Sequence, residues 1–196
     1  MSAGQRSDYP VVEHVERPVN PVFSLVSDQV RMPDGEVARR DFLHHVGAVA
    51  AVAVDADGSV LLIRQYRHPV GQAMWELPAG LTDVAGEAPV DTARRELAEE
   101  ADLTARDWQL LAELHTTPGC SDERIRVYLA RDVAPVPAHE RFERTAEEAG
   151  LTTRWVPLAD AVAMVTTGEL TNATAVAGVL AAARSRENGW TGLRPA

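Results

Sequence analysis

Residues 91–101, DTARRELAEEA, are a run of good helix formers with small apolar side chains four apart at Ala93, Leu97 and Ala101. Strand signals flank this run on both sides, and that alternation constrains the fold more than any other feature of the chain. Upstream, VFSLVSDQVRM and VARRDFLHHVGAV surround the turn PDGE, whose Asp34-Gly35 pair is a strong hairpin signal. AVAAVAVD (48–55) reads as a buried strand and SVLLIRQYR (59–67) as its partner, with ADG as the turn between them. MWELPAGL (74–81) is short and extended, interrupted by Pro78 and Gly80. Downstream, 108–117 and 124–133 read as strands around the loop PGCSDE, 139–150 as an acidic loop or frayed helix, and 151–158 as a last strand. Two helices, LADAVAMVTTGEL and NATAVAGVLAAARSRE, close the chain, and residues 1–20 read as an irregular arm. The order strands, helix, strands, helices predicts an α/β (α+β) class with a mixed sheet.

Composition excludes several classes of function. The chain has 196 residues and a formal net charge of −10. It has no dense basic stripe to neutralise a phosphate backbone, so nucleic acid is not the expected partner. An acidic protein can still take a small phosphorylated ligand if a metal ion stands between them. The apolar runs GAVAAVAV and ATAVAGVLAAA are too short to span a bilayer, and the N-terminus has no apolar signal core, so no membrane association is expected. Cys120 is the single cysteine, which precludes an intramolecular disulfide and fits a reducing, cytoplasmic setting.

The helical run also carries a chemical oddity. Glu96 neighbours both Glu99 and Glu100 at helical spacing, and like charges so placed repel. Arg95 can pair with Glu99, but no basic residue lies at helical spacing to offset Glu96 against Glu100. Two readings follow. The face is a solvated acidic surface, or it is a divalent-cation site, since Mg²⁺ takes a few carboxylate oxygens together with waters and substrate phosphate oxygens. Spacing alone does not choose between them.

The wider segment GLTDVAGEAPVDTARRELAEEADL resembles the Nudix box: Gly, five residues, Glu, seven residues, then Arg-Glu-(aliphatic)-x-Glu-Glu-x-Gly-(aliphatic). Gly80, Glu87, Arg95, Glu96, Leu97, Glu99, Glu100 and Leu103 fill that pattern. It departs in two places. Six residues rather than five separate Gly80 from Glu87, and Asp102 stands where the pattern has glycine. That position follows the helix and calls for a left-handed backbone, which aspartate tolerates less well than glycine.

The resemblance implies an α/β/α sandwich around a mixed sheet, here with an N-terminal antiparallel strand pair. It implies a domain layout of 1–45 as arm and strand pair exchanged between two subunits, 46–184 as the Nudix domain, and 185–196 as a tail. It implies Mg²⁺ or Mn²⁺ held by Glu96, Glu99, Glu100 and the backbone carbonyl of Ala79, with Arg95 steadying the carboxylates. WELPAG (75–80), Pro118 and TTPGCSDE (116–123) are similar to the ADP-ribose pyrophosphatase branch of actinobacterial type. That branch hydrolyses ADP-ribose to AMP and ribose 5-phosphate and works as a homodimer. By the same resemblance the base that activates water is a glutamate on a loop after the box. Glu148 aligns best, with Glu147, Glu99 and Glu100 as rivals. Arg67 would reach the diphosphate, Arg40 and Asp41 match positions at the adenine end, and Glu76 and Glu123 would orient ligands or bind ribose hydroxyls. The alternatives are a pyrophosphohydrolase of another nucleoside diphosphate derivative, or a sensor that binds ADP-ribose without cleaving it.

Overall fold

A computed structural model of the chain describes residues 8–144 and 150–196. By contact density the chain divides into two compact units, Met1–Gly47 with His115–Arg124, and Ala48–Leu114 with Ile125–Ala196.

The first unit is built on a three-stranded antiparallel sheet, β1 (Val11–Pro18), β2 (Phe23–Arg31) and β3 (Val37–His45), in that order. β2 and β3 are the expected hairpin, turned at Gly35 with φ of 90°. β1 corrects the expectation of an irregular arm. It pairs with β2 from Val11↔Val30 to Pro18↔Ser24. Its sequence VVEHVERP does not alternate apolar and polar residues, and the strand is exposed almost throughout, so the pattern that reveals a half-buried strand is missing. The segment 115–124 joins this unit through β3: Leu43 N–H donates to the Cys120 carbonyl at 2.9 Å.

The second unit begins with β4 (Ala48–Ala53), β5 (Ser59–Arg67), β6 (Gln72–Glu76) and β7 (Ala79–Leu81). The helix α1 (Pro89–Ala101) follows, then β8 (Leu103–Leu114), β9 (Ile125–Pro135), β10 (Thr152–Pro157), α2 (Leu158–Thr167), α3 (Ala173–Glu187) and the short β11 (Arg194–Pro195). Two sheets form, β11-β8-β9-β4-β7 and β10-β5-β6. The β4–β9 pairing is parallel and the other pairings are antiparallel, so the larger sheet is mixed.

β4 shows why the sheet is covered on both sides. Ala50 and Val52, with Val54 just past the strand's end, belong to one core cluster, with Ala161 and Met164 of α2 and Ala175, Val179 and Ala182 of α3. Val49, Ala51 and Ala53 belong to the other, with Ala93 and Leu97 of α1. A strand's side chains alternate between faces, so a continuous apolar run is what a strand buried on both faces requires. The result is helix, sheet, helix. Gly178 lets α3 close on the sheet, since a Cβ there would lie 2.7 Å from Leu77 Cδ1. No helix among the described residues is long and apolar enough to cross a membrane.

Candidate active site

The site is organised by the approach of α1 to β7. Pro89 stands in the first turn of α1, where its missing N–H costs nothing, and starts the helix two residues ahead of Asp91. Asp91 is a first-turn acid rather than a cap, and pairs with Arg94 at 2.5 Å. The helix ends at Asp102, which takes the left-handed backbone (φ 53°, ψ 36°) that the glycine of the box pattern would supply. Its carboxylate has a further use. Arg144 Nη2 donates to Asp102 Oδ2 at 2.7 Å, and Arg144 Nε donates to the Glu99 carbonyl at 2.9 Å. One guanidinium thereby satisfies an end carbonyl of the helix and the substituted side chain together. Arg144 is a residue that reading the sequence did not single out.

Leu97 is fully buried beneath the helix and anchors it, leaving the acidic positions on the other side. Gly80 of β7 faces Glu96 so closely that a Cβ would sit 2.1 Å from the Glu96 carboxyl carbon. Only glycine leaves that carboxylate its place. Glu100 is 4% exposed and accepts a hydrogen bond from the Ala79 N–H at 2.8 Å.

Arg95 ties the acidic face together. Its Nη1 donates to Glu96 Oε1 at 2.7 Å and to Glu99 Oε2 at 3.2 Å, while Nε and Nη2 donate to the Glu87 carboxylate at 3.3 Å. The expectation that no basic residue offsets Glu96 is therefore corrected. Adjacent helical positions do not face each other, but a long guanidinium reaches back across the turn. Glu87 also accepts from Thr92 Oγ1 at 2.7 Å. The Arg95 guanidinium, and then the Thr92 hydroxyl, hold Glu87 below the usual carboxylate range. Glu87 in turn, with Glu96 and Glu99, raises the pKa of Arg95 above its ordinary value. Between Gly80 and Glu87 the chain turns at Gly86 with φ of 83°.

Glu96, Glu100, Ala79, Gly80, Arg67 and Gln65 line one cavity of about 270 Å³. Arg67 is oriented from behind by Glu76, which is 3% exposed. Nε donates to Glu76 Oε1 at 3.0 Å and Nη2 donates to Oε2 at 2.7 Å. Among the described residues no three His, Cys, Asp or Glu side chains stand preassembled around one point. Arg95 sits between Glu96 and Glu99, and Glu100 turns to the Ala79 amide. The donor chemistry nonetheless fits a hard divalent cation: carboxylate oxygens on one helix face, two of them opening into a shared cavity, with Arg67 there for an anionic ligand.

Three other candidate residues lie in the first unit. Asp41 accepts from Ser27 Oγ at 2.6 Å and from Arg39 Nε at 2.9 Å, and these bonds, Ser27 first, lower its pKa. Arg40 Nη1 donates to the Arg39 carbonyl at 2.9 Å. Glu123 accepts from the Thr116 hydroxyl. Glu147 and Glu148 lie outside the described residues.

Known proteins resemble the chain in sequence and in fold. The NUDIX domain profile matches residues 44–178. The chain is 51% identical over 163 residues to the ADP-ribose pyrophosphatase of Mycobacterium tuberculosis, an alignment covering 82% of this chain and 76% of that one. It is 32% identical over 152 residues to the ADP-ribose pyrophosphatase of Bacillus subtilis, covering 78% and 80%. The crystal structure of an ADP compounds hydrolase superposes with a TM-score of 0.75 at 21% identity, over 94% of this chain and 97% of that one, and shares its fold. With its box helix, its mixed sheet covered on both sides and this extent of similarity, the chain belongs to the Nudix hydrolase family.

Proposed function

We propose that the protein hydrolyses the diphosphate of ADP-ribose, or of a related ADP-sugar, to AMP and ribose 5-phosphate. The observation that carries this reading is the shared cavity, where Glu96 and Glu100 of α1 meet Arg67 beneath the β7 glycine. The two ADP-ribose pyrophosphatases that align with most of the chain support the choice of substrate.

Glu96, Glu99, Glu100 and the Ala79 carbonyl would hold Mg²⁺, with Mn²⁺ as the alternative ion. A divalent cation there supplies charge to the diphosphate oxygens and acidifies bound water. The protein's own residues do the rest. Arg95 keeps Glu96 and Glu99 in place from the Glu87 side. Glu76 presents the planar fork of Arg67 to phosphate oxygens. Glu148 takes the proton of the attacking water, with Glu147, Glu99 and Glu100 as rivals. Arg40 and Asp41 contact the adenine end, and Glu123 a ribose hydroxyl.

The protein acts as a homodimer through the β1–β3 sheet, exchanged between subunits. The exposed Val11, Val12, Leu25, Val37 and Leu43 of that sheet support this reading. The free Cys120 supports a cytoplasmic setting.

The test is product analysis with Mg²⁺ on ADP-ribose, ADP-glucose, NADH and a dinucleoside polyphosphate, with and without EDTA. Release of AMP and ribose 5-phosphate that EDTA abolishes, fastest from ADP-ribose, supports the proposal. Faster cleavage of another substrate moves the specificity. Binding of ADP-ribose without turnover would instead favour a sensor.

A further inference from the structure

Gln65 lines the same cavity as Arg67, Glu96 and Glu100. It is 8% exposed, and its Oε1 has no hydrogen-bond partner among the described residues. It follows Leu61 and Ile63 on the same face of β5, where the strand pattern would accept another aliphatic residue. An orphaned buried amide oxygen costs stability, so its presence here calls for a partner that arrives with the ligand. That oxygen has lone pairs and no proton. It cannot pair with phosphate oxygens, nor with the carboxylates of Glu96 and Glu100. What satisfies it is an incoming hydrogen-bond donor, met when the soft terminal torsion of Gln65 turns that oxygen to the cavity, and an O–H is the donor that a hydrated cation or a sugar brings.

We propose that Gln65 is a positioning residue whose Oε1 accepts a hydrogen bond from a water carried by the divalent cation that Glu96 and Glu100 hold. The proposal rests on the cation site of the preceding reading. Mg²⁺ and Mn²⁺ keep some of their waters when bound by few carboxylates, and such waters are polarised, strong donors. Gln65 then fixes the orientation of the hydrated ion from the strand side while α1 supplies the charge. A sugar hydroxyl is the other O–H donor a nucleotide sugar would bring, and the test separates the two.

The experiment titrates the metal-free full-length chain with Mn²⁺, reading free Mn²⁺ by electron paramagnetic resonance. It uses wild type, Gln65→Leu, Gln65→Glu and Glu100→Gln. Melting temperatures without metal, and kcat and KM for ADP-ribose, are measured alongside. Gln65→Leu is expected to weaken Mn²⁺ binding by roughly tenfold. It should melt, without metal, at or above the wild-type temperature, because it removes an unpaired polar atom. It should lower kcat at near-constant KM. Gln65→Glu, which keeps an acceptor in place, should recover most of the Mn²⁺ affinity. The proposal is overturned if Gln65→Leu binds Mn²⁺ like wild type, and a raised KM in that case assigns the acceptor to a sugar hydroxyl. It is also overturned if Gln65→Glu loses as much as Gln65→Leu, which would make the amide a donor, or if Gln65→Leu lowers the metal-free melting temperature. If Glu100→Gln also leaves Mn²⁺ binding unchanged, the cation site itself fails rather than the role of Gln65.

Discussion

β4 and β1 are both valine-bearing strands, yet they live in opposite environments. Val49 to Ala53 of β4 are all 0% exposed, with strands on both edges and helices on both faces. β1 has one ladder neighbour, β2, and Val11 and Val12 are 50% and 49% exposed. Hydrogen bonding makes both of them strands, but only β4 has a core. Glu13, Glu16 and Arg17 on β1 are the kind of charged side chains that keep an exposed edge from unwanted pairing. The catalytic carboxylates we propose stand on the helix packed against β4, so their positions rest on the buried core of the second unit.

The largest break in this contrast should come from Leu97→Ala. Emptying the contact between α1 and the sheet should cost about 2–5 kcal/mol in urea unfolding, whereas Val12→Ala in β1 should stay within about 0.5 kcal/mol of wild type at concentrations where the subunits are dissociated. If the two variants cost the same, the contrast between buried and ladder-only strands fails. Gly80→Ala should cost about a hundredfold in kcat, because the added methyl displaces the Glu96 carboxylate while most of the fold survives. Unchanged steady-state kinetics would mean that Glu96 is not held where the reaction needs it.

Glu87→Gln should loosen Arg95 and remove a pH response. The folded pKa of Glu87 lies below its ordinary value of 4.5. Its contribution to stability is therefore present above that value and is lost as pH falls through the lowered one. Melting curves taken across that acid range should be flatter for Glu87→Gln than for wild type. The smallest effect belongs to the first unit. His44 Nδ1 donates to the Asp122 carboxylate at 2.6 Å, and that bond raises the His44 pKa above 6.5. Its contribution is full below 6.5 and disappears as pH rises through the raised value. For a half-exposed pair this amounts to at most about 1 kcal/mol. Amide exchange in β3 should speed up slightly across that window, and Asp122→Asn should abolish the change.

Much of the second unit was legible in the chain. β4, β5 and α1 announce themselves by an unbroken apolar run, an aliphatic strand and a helical stripe, signals that depend on local periodicity. The box residues were legible because they stand at set intervals along one helix and its flanking loop. β1 was not legible, since a strand with almost nothing buried leaves no pattern. Nor were Arg144 and Gln65. Arg144 matters through Asp102 and the Glu99 carbonyl, more than 40 positions away in sequence. Gln65 matters because burial leaves Oε1 without a partner, and burial of a single polar atom is a property of the packed molecule. The pairing of Arg95 with Glu96 escaped for a different reason: helical spacing rules describe short side chains better than a guanidinium.

The central claim is that the α1 carboxylates are the working part of a metal-dependent diphosphate hydrolase. The most direct measurement is AMP release from ADP-ribose at saturating Mg²⁺ by wild type, Glu96→Gln and Glu100→Gln, with circular dichroism of each. The account predicts EDTA-sensitive turnover by wild type and a fall of at least about a hundredfold in both variants, with unchanged spectra. Variants that turn over at the wild-type rate would contradict it.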